Sequence, residues 1–478
     1  MKNGSPEIQQ EVQIYEQAHH VLFRDDLRIH DHPALHEAAT AGTVLPLYIL
    51  DNDRPFGGAK QWWLHRNLEA LESAISDIGG RLWYDKGDME KTIFRWIKEW
   101  KADAVYWNRV YEPGIYERDL ELAKKLDAEG IEVKTFEGTL LLPPWTVKKE
   151  DDTPYKVFTS FYKSFRTNSI PKPLPKVKEL NVPDIDKGAS LEELGLIPEI
   201  PWYHVMESIW DPGEAAAIRR FRSFTKNRLQ SYTDRRDYPA NGSHSTLSPY
   251  LALGVISARS MYHSLLKHSV SPEPFIRQLV WREFSYSVLL HFPDSTSTPL
   301  DSRFKTFRWE SDQEAFERWT KGVTGYPIVD AGMRELWATG FMHNRVRMVA
   351  ASFLTKHLLI PWQKGADWFM DTLIDADLAN NSMGWQWVAG SGLDSSPYFR
   401  VFNPTLQGEK FDGDGDYIRM WVPEISGVPD KYIQEPSKAP AAILEKAGIT
   451  LGKDYPEPMV DHKAARQRAL ARFDEIKK

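Results

Sequence analysis

Between residues 21 and 143 the chain switches repeatedly between two hydrophobic periods, and this switching restricts the possible folds more than any other feature. Short β-rich runs begin at Val21 (VLF), Thr43 (TVLPLYILD), Arg81 (RLWYD), Ala102 (ADAVYWNRVY) and Ile131 (IEVKTF). Between them lie segments with apolar residues at helical spacing, such as Gln61 to Ile78, after which Gly79-Gly80 supplies a stop. A strand followed by a helix long enough to cross over returns parallel to its neighbour, so the pattern predicts a doubly wound, parallel, five-stranded α/β sheet.

The pattern loosens over residues 144–205, where the proline cluster at 171, 173 and 175 predicts a long interdomain linker. From 206 to 478 helical runs follow one another, with starts at Ser or Asp and breaks at Gly or Pro, which predicts a second, all-α domain. A length of 478 residues fits two or three folding units. Residues 1–20 are polar and mixed in charge. Lacking the basic start and apolar middle of a secretory signal, they read as a flexible extension of a cytoplasmic protein. No apolar run is long enough for a membrane span.

The chain has no cysteine, which removes disulfides, iron–sulfur clusters and thiol nucleophiles from consideration. A net charge of −7 argues against a protein that coats nucleic acid, though a local basic patch can still bind phosphates.

Four groupings in the second half carry polar chemistry. A helix through Met342–Met348 places Asn344, Arg347 and Met348 on one face. Asp375 and Asp377 stand in an otherwise apolar stretch before Asn380, Asn381, Trp385 and Trp387, and buried acids need partners. Arg347 is the natural partner for Asp375, and a heteroaromatic ring among these groups could use the donors and acceptors left over. An all-oxygen Mg²⁺ or Ca²⁺ site is the competing reading, with no known loop spacing to support it. Gln278, Trp281 and Arg282 share another helical face, where an indole beside a guanidinium suits a base and its phosphate, although a Trp half-buried under an Arg stem is as common. The hydroxyl-rich turn Ser243–Ser248 can cradle phosphates at a helix start or act as an ordinary cap.

Taken in order, STLSPYLALGVIS, VWREF, TGYPIVDAGMREL, MHNRVRMVAASFLTK, LIDADLANNSMGWQW and PYFRVFNPTLQGEKFD, with FRDDLRIHD at Phe23 and PYKVFT at Pro154, resemble the class I cyclobutane pyrimidine dimer photolyases of the DNA photolyase and cryptochrome family. The resemblance spans about Val21 to Pro423. It implies FAD in the helical domain, bound by Tyr232, Ser245, Thr246, Leu247, Ser248, Gln278, Arg282, Asn344, Arg347, Asp375, Asp377 and Asn381. It also implies an antenna pigment in the α/β domain, either methenyltetrahydrofolate or a deazaflavin. Asn381 falls beside the flavin N5; unlike the Asp of plant-type cryptochromes, an amide there cannot deliver a proton, which favours repair over signalling.

A dimer inside a duplex is unreachable and must be flipped out, photolyases being a standard example of base flipping. The resemblance then sets Trp281 and Trp387 against the dimer, Met348 beside it, and Arg236 and Arg345 on flanking phosphates, with Gln407 and Lys410 as further DNA contacts. Gln278, Met348 and Asn381 are the residues implied nearest the chemistry, in which excited reduced FAD lends an electron to the dimer and recovers it. Trp385, Trp362 and Trp309 occupy the family's electron-transfer chain. Gln278 stands where cyclobutane-dimer enzymes usually carry Glu, and offers only neutral hydrogen bonds. Asp25, His244 and Thr246 also depart from the usual motifs. A blue-light receptor acting through a protein partner, repair of a different photolesion such as the (6-4) product, and an electron carrier that never touches DNA are the alternatives. The expected state is a monomer with damaged DNA as partner and no obligate protein partner.

Overall fold

The computed structural model describes residues 18–185 and 187–477. Strands β1 (Ala18–Phe23), β2 (Thr43–Asp51), β3 (Trp83–Gly87), β4 (Ala104–Asn108) and β5 (Glu132–Phe136) form one sheet in the order β3-β2-β1-β4-β5. Every pairing is parallel, as the crossover segments require. Helices α1 (Pro33–Ala41), α2 (Gly58–Ser76), α3 (Met89–Trp100) and α4 (Ile115–Ala128) make the crossovers. β1 begins three residues before the predicted domain boundary, so residues 18–20 belong to the sheet rather than to an extension. The rest of that predicted extension, residues 1–17, lies outside the described residues.

The predicted linker contains a helix, Phe158–Phe165, that sequence reading passed over. Its buried residues Phe158, Phe161, Tyr162 and Phe165 keep i, i+3, i+4, i+7 spacing and pack on the long helix Glu273–His291. Downstream the chain is helical as predicted, from His204–Ile209 to His462–Glu475. A π-helical turn, Phe353–His357, follows directly on the helix Asn344–Ser352.

The domains share a core. One apolar cluster runs from Val21 and Phe23 in β1, through Trp62 and Trp63 in α2, to Tyr250, Phe284 and Ile374 of the helical half. The strands' C-terminal ends face the helical domain, where Arg28 donates to the Gly254 carbonyl at 2.7 Å and the backbone N–H of Leu141 donates to Glu283 at 2.9 Å. Gly57 shows how close the contact is, since a Cβ there would meet the Met370 carbonyl oxygen at 2.2 Å. Among the described residues no helix is long and apolar enough to cross a membrane.

Candidate functional site

The loop between the helices Trp362–Thr372 and Leu378–Ala389 is the hub of the site. Asp377, in extended conformation, caps the second helix by accepting from the Asn380 N–H at 2.7 Å. Asp375 is buried, and its Oδ2 accepts from Arg347 at 2.8 Å and from the Ser248 hydroxyl at 2.6 Å. The pairing expected from sequence is therefore present, and the hydroxyl-rich turn joins it. Oδ1 of Asp375 is buried without a protein partner. Such an acceptor suits an N–H of a heterocyclic ligand.

Arg282 is buried, donates to the Thr139 carbonyl at 2.9 Å and lies 5.2 Å from the Tyr286 ring centroid. Tyr286 in turn donates its hydroxyl proton to Asp377. Sequence reading missed Tyr286, though it lies four residues after Arg282 on the same helix. Gln278, one turn before Arg282, is half-buried and donates only a long 3.4 Å bond to the Pro274 carbonyl, which leaves its amide available. Trp281 stacks on Phe158.

Asn381 donates its amide NH₂ to the Ala366 carbonyl at 3.0 Å, which fixes the amide and leaves its oxygen as the free end. Asn344 and Met348 meet across one turn, Nδ2 to Sδ 3.9 Å. In the turn before the short helix Ser248–Ala252, Thr246 sits at φ +53° and accepts from Arg220 at 2.8 Å. Leu247 is fully buried, so it can meet a phosphate only through its backbone. Burial, with Arg228 and Arg220 nearby, lowers the His244 pKa to about 4, so the ring that stacks on Phe341 is neutral at pH 7. Tyr232 packs edge-on to Phe275 with Arg236 over its face.

Of the residues expected to meet DNA, Gln407 and Lys410 lie on the helix Pro404–Phe411 and Arg345 packs against its end, while Trp281 stands apart on the helix Glu273–His291. Arg345 lies 4.4 Å from the Phe411 ring centroid and pairs with Asp237 at 2.9 Å. Lys410 is exposed and 5.1 Å from the same ring, and Gln407 is half-buried one turn earlier. Arg236 joins through its backbone carbonyl, which lies 2.8 Å from His343 Nε2. Trp387 is half-buried.

Trp385 and Trp362 are buried in one apolar cluster, with Trp309 packed against its edge. Trp385 fits against Gly365, three residues from Trp362, where a Cβ would approach the indole to 2.1 Å. The Glu310 N–H donates to the Leu359 carbonyl at 2.7 Å, holding Trp309 beside the segment that leads into Trp362. The indole neighbours of Trp385 are Phe369 and Trp319. Among the described residues no group of His, Asp and Glu could hold a metal ion. Asp375 and Asp377 are instead engaged by Arg347, Ser248, Tyr286 and Asn380.

In the α/β domain a groove of about 340 Å³ opens beside Trp107, Arg109, Tyr116, Leu120 and Lys124. Nearby, Arg54 bridges Asp25 and Glu112, so the unusual Asp25 is part of a buried ion network.

Two family models match successive stretches: that of DNA photolyase over residues 20–179, and that of the FAD binding domain of DNA photolyase over residues 275–475. A parallel α/β domain followed by a helical FAD-binding domain defines a two-domain flavoprotein. The deoxyribodipyrimidine photo-lyase of Agrobacterium fabrum is 47% identical over 96% of this chain and 98% of its own length. Cryptochrome-2 of Arabidopsis thaliana is 36% identical over 95% of this chain and 79% of that protein. The crystal structure of a bacterial class III photolyase from Agrobacterium tumefaciens superposes with a TM-score of 0.95 at 45% identity, covering 98% of this chain and 99% of the other. The chain belongs to the DNA photolyase and cryptochrome family. The resemblance first drawn to class I enzymes thus holds for the family, while this structural match is to class III.

Proposed function

We propose that this protein repairs cyclobutane pyrimidine dimers in DNA by light-driven electron transfer, as a photolyase closer to class III than to class I. The observation that carries the reading is Asn381, whose amide is pinned by the Ala366 carbonyl and has no proton to deliver. The relatives named deoxyribodipyrimidine photo-lyase support it.

The residues fit FAD. Asp375 Oδ1 is a buried acceptor still in need of a donor, Arg347 supplies a cation beside it, and Ser248 opens a helix whose backbone N–H groups suit phosphate. Bound there, FAD supplies the light-driven electron that opens the cyclobutane ring. The protein's own tasks are orientation and electrostatics. Arg347 and Asp375 hold each other in place, Asn381 presents a fixed carbonyl oxygen, and Trp281, backed by Phe158, offers a rigid face for a flipped-out base. Arg236, Arg345 and Lys410 form the cationic rim for phosphates, which position the strand without reading its sequence. Gln278, with its weakly engaged amide, supplies neutral hydrogen bonds where a Glu could ionise. The groove beside Trp107 and Arg109 offers an aromatic wall and a cation for a planar, anionic antenna pigment, a description that both methenyltetrahydrofolate and a deazaflavin meet.

The direct test mixes the reduced protein with an oligonucleotide carrying one thymine cyclobutane dimer and compares blue-light and dark samples. Light-dependent recovery of base absorbance supports repair. Bound, reduced FAD without recovery on this lesion or a (6-4) lesion favours the receptor reading, which the 36% identity to Cryptochrome-2 keeps in view. Asn344 and Met348 stand where (6-4) enzymes carry histidines, which argues against that lesion.

A further inference from the structure

Lys60, on α2 of the α/β domain, is 3% exposed, and its ammonium donates at 2.9 Å to the carbonyl of Ala376, the residue between Asp375 and Asp377. An apolar side chain would fill an interdomain contact at lower cost, because a buried ammonium loses hydration that its partners must return. The surroundings hold the start of this helix tightly against the helical domain. Gly57 leaves no room for a Cβ against Met370 and Asp371, and the Gly58 N–H donates to Asp371 at 2.9 Å. The ammonium also lies 5.1 Å from the Phe56 ring centroid. Burial acts to raise the Asp25 pKa, but Arg54 and then Lys60 outweigh it, so Asp25 stays ionised. Arg54 alone makes the ion pairs with Asp25 and Glu112, so Lys60 adds its charge to this network from a distance.

We propose that Lys60 is a positioning residue for the flavin, reaching from the α/β domain to fix the Ala376 peptide and so both flanking aspartates, while its charge favours the reduced, anionic cofactor. The peptide that Lys60 holds has the Asp377 N–H at its other end, and a cation on the carbonyl strengthens that N–H as a donor. A fixed positive charge in a low-dielectric interior stabilises nearby negative charge more than a mobile one in water does. The inference rests on FAD lying against the Asp375–Asp377 loop.

The test compares FAD dissociation constants and midpoint potentials of the bound flavin for the full-length protein and four variants. Lys60→Met is expected to weaken FAD binding about tenfold, the scale of one lost charge-assisted hydrogen bond, and to shift the potential negative. Lys60→Arg restores both at least in part. Lys60→Gln, whose amide can still donate to the Ala376 carbonyl, keeps FAD binding within about threefold yet shows the lowered potential. Asp371→Asn weakens the same interface while leaving the Lys60 ammonium in place, and because it removes a negative charge it does not lower the potential. A wild-type potential in Lys60→Gln, or an equal shift in Asp371→Asn, would reduce Lys60 to a domain clamp and overturn the proposal. Lys60→Gln also serves if Lys60→Met does not fold. A wild-type chain that takes up no FAD overturns the flavin reading itself.

Discussion

Trp281 lies face to face on Phe158, with ring centroids 3.6 Å apart and planes 8° from parallel. One side of the indole is thus closed by the helix that sits within the linker, and Arg277 caps the outer face of Phe158 at 4.9 Å. Only the opposite side of Trp281 can receive a base. Phe158→Leu preserves much of the volume but removes the parallel ring, freeing the indole to tilt. The expected result is a three- to tenfold weaker affinity for dimer-containing DNA, the scale of one aromatic pair, with the FAD-to-protein ratio unchanged. Equal affinity in a filter-binding titration would mean that Trp281 is not a stacking platform.

Asp375 serves Arg347 and Ser248 through one oxygen. Asp375→Asn leaves the guanidinium without its counter-charge, at a cost of roughly 2–4 kcal/mol after allowance for the partial exposure of Arg347, and most of the bound FAD should be lost on gel filtration. Ser248→Ala should cost only about 1 kcal/mol. Because both bonds end on the same oxygen, the double variant should lose less than the sum of the two in urea titrations.

Asn381 and Ala366 set up a sharper contrast. In Asn381→Asp the carboxylate would face the Ala366 carbonyl that now accepts from the amide, and two acceptors in contact repel. That repulsion raises the pKa of the new acid and keeps a proton on it. The bound flavin of this variant, followed by visible absorption under blue light, should accumulate as a neutral, protonated radical, and light-driven repair should fall about a hundredfold or more, the lower end of what a matched catalytic protonation state contributes. An unaltered spectrum would remove Asn381 as the residue separating repair from signalling.

Glu283 makes the interdomain contact sensitive to pH. Its Oε2 accepts from the N–H groups of Leu141 and Leu142, while Oε1 is buried without a hydrogen bond. Burial, opposed by Arg282, raises its pKa from 4.5 to about 8. The folded protein therefore binds the proton more tightly than the unfolded chain does. The associated stability is fully present below pH 4.5 and is lost as pH rises through about 8, an effect of about 5 kcal/mol at most. Glu283→Gln should flatten this part of the stability–pH curve measured by urea unfolding. An unchanged slope would show that Glu283 does not titrate across this range.

Much of the framework could be read from sequence because it depends on local periods. The TVLPLYILD run is a strand and the ADAVYWNRVY run contains one, and the helical spacing between them fixes parallel crossovers. Arg347 and Asp375 could be matched in advance because Asp375 is a charge in an apolar segment and needs a partner, and Arg347 is a cation on a neighbouring amphipathic helix. The Phe158–Phe165 helix also had its signal, four apolar residues at helical spacing, but only two turns of it stood among prolines. Lys60 with Ala376, Arg345 with Asp237, and Trp281 with Phe158 left no such trace. Each joins residues more than a hundred positions apart, and nothing in the spacing of either member specifies the other. The same holds for the tryptophans, since only the close fit of Trp385 on Gly365 reveals which helix the indole touches.

The core that runs from β1 into the flavin-binding helices has a consequence for how the molecule comes apart. Trp62 and Trp63 of α2 are fully buried, and the Trp63 indole donates to the carbonyl of Pro249 at 3.0 Å, across the boundary that sequence alone would draw. Neither half is a module that can be cut out, because cutting turns shared interior into exposed apolar surface prone to aggregate. Heating should accordingly melt both halves in one cooperative transition, and the separation between the groove beside Trp107 and the Asp375–Asp377 loop should hold constant until the whole molecule unfolds.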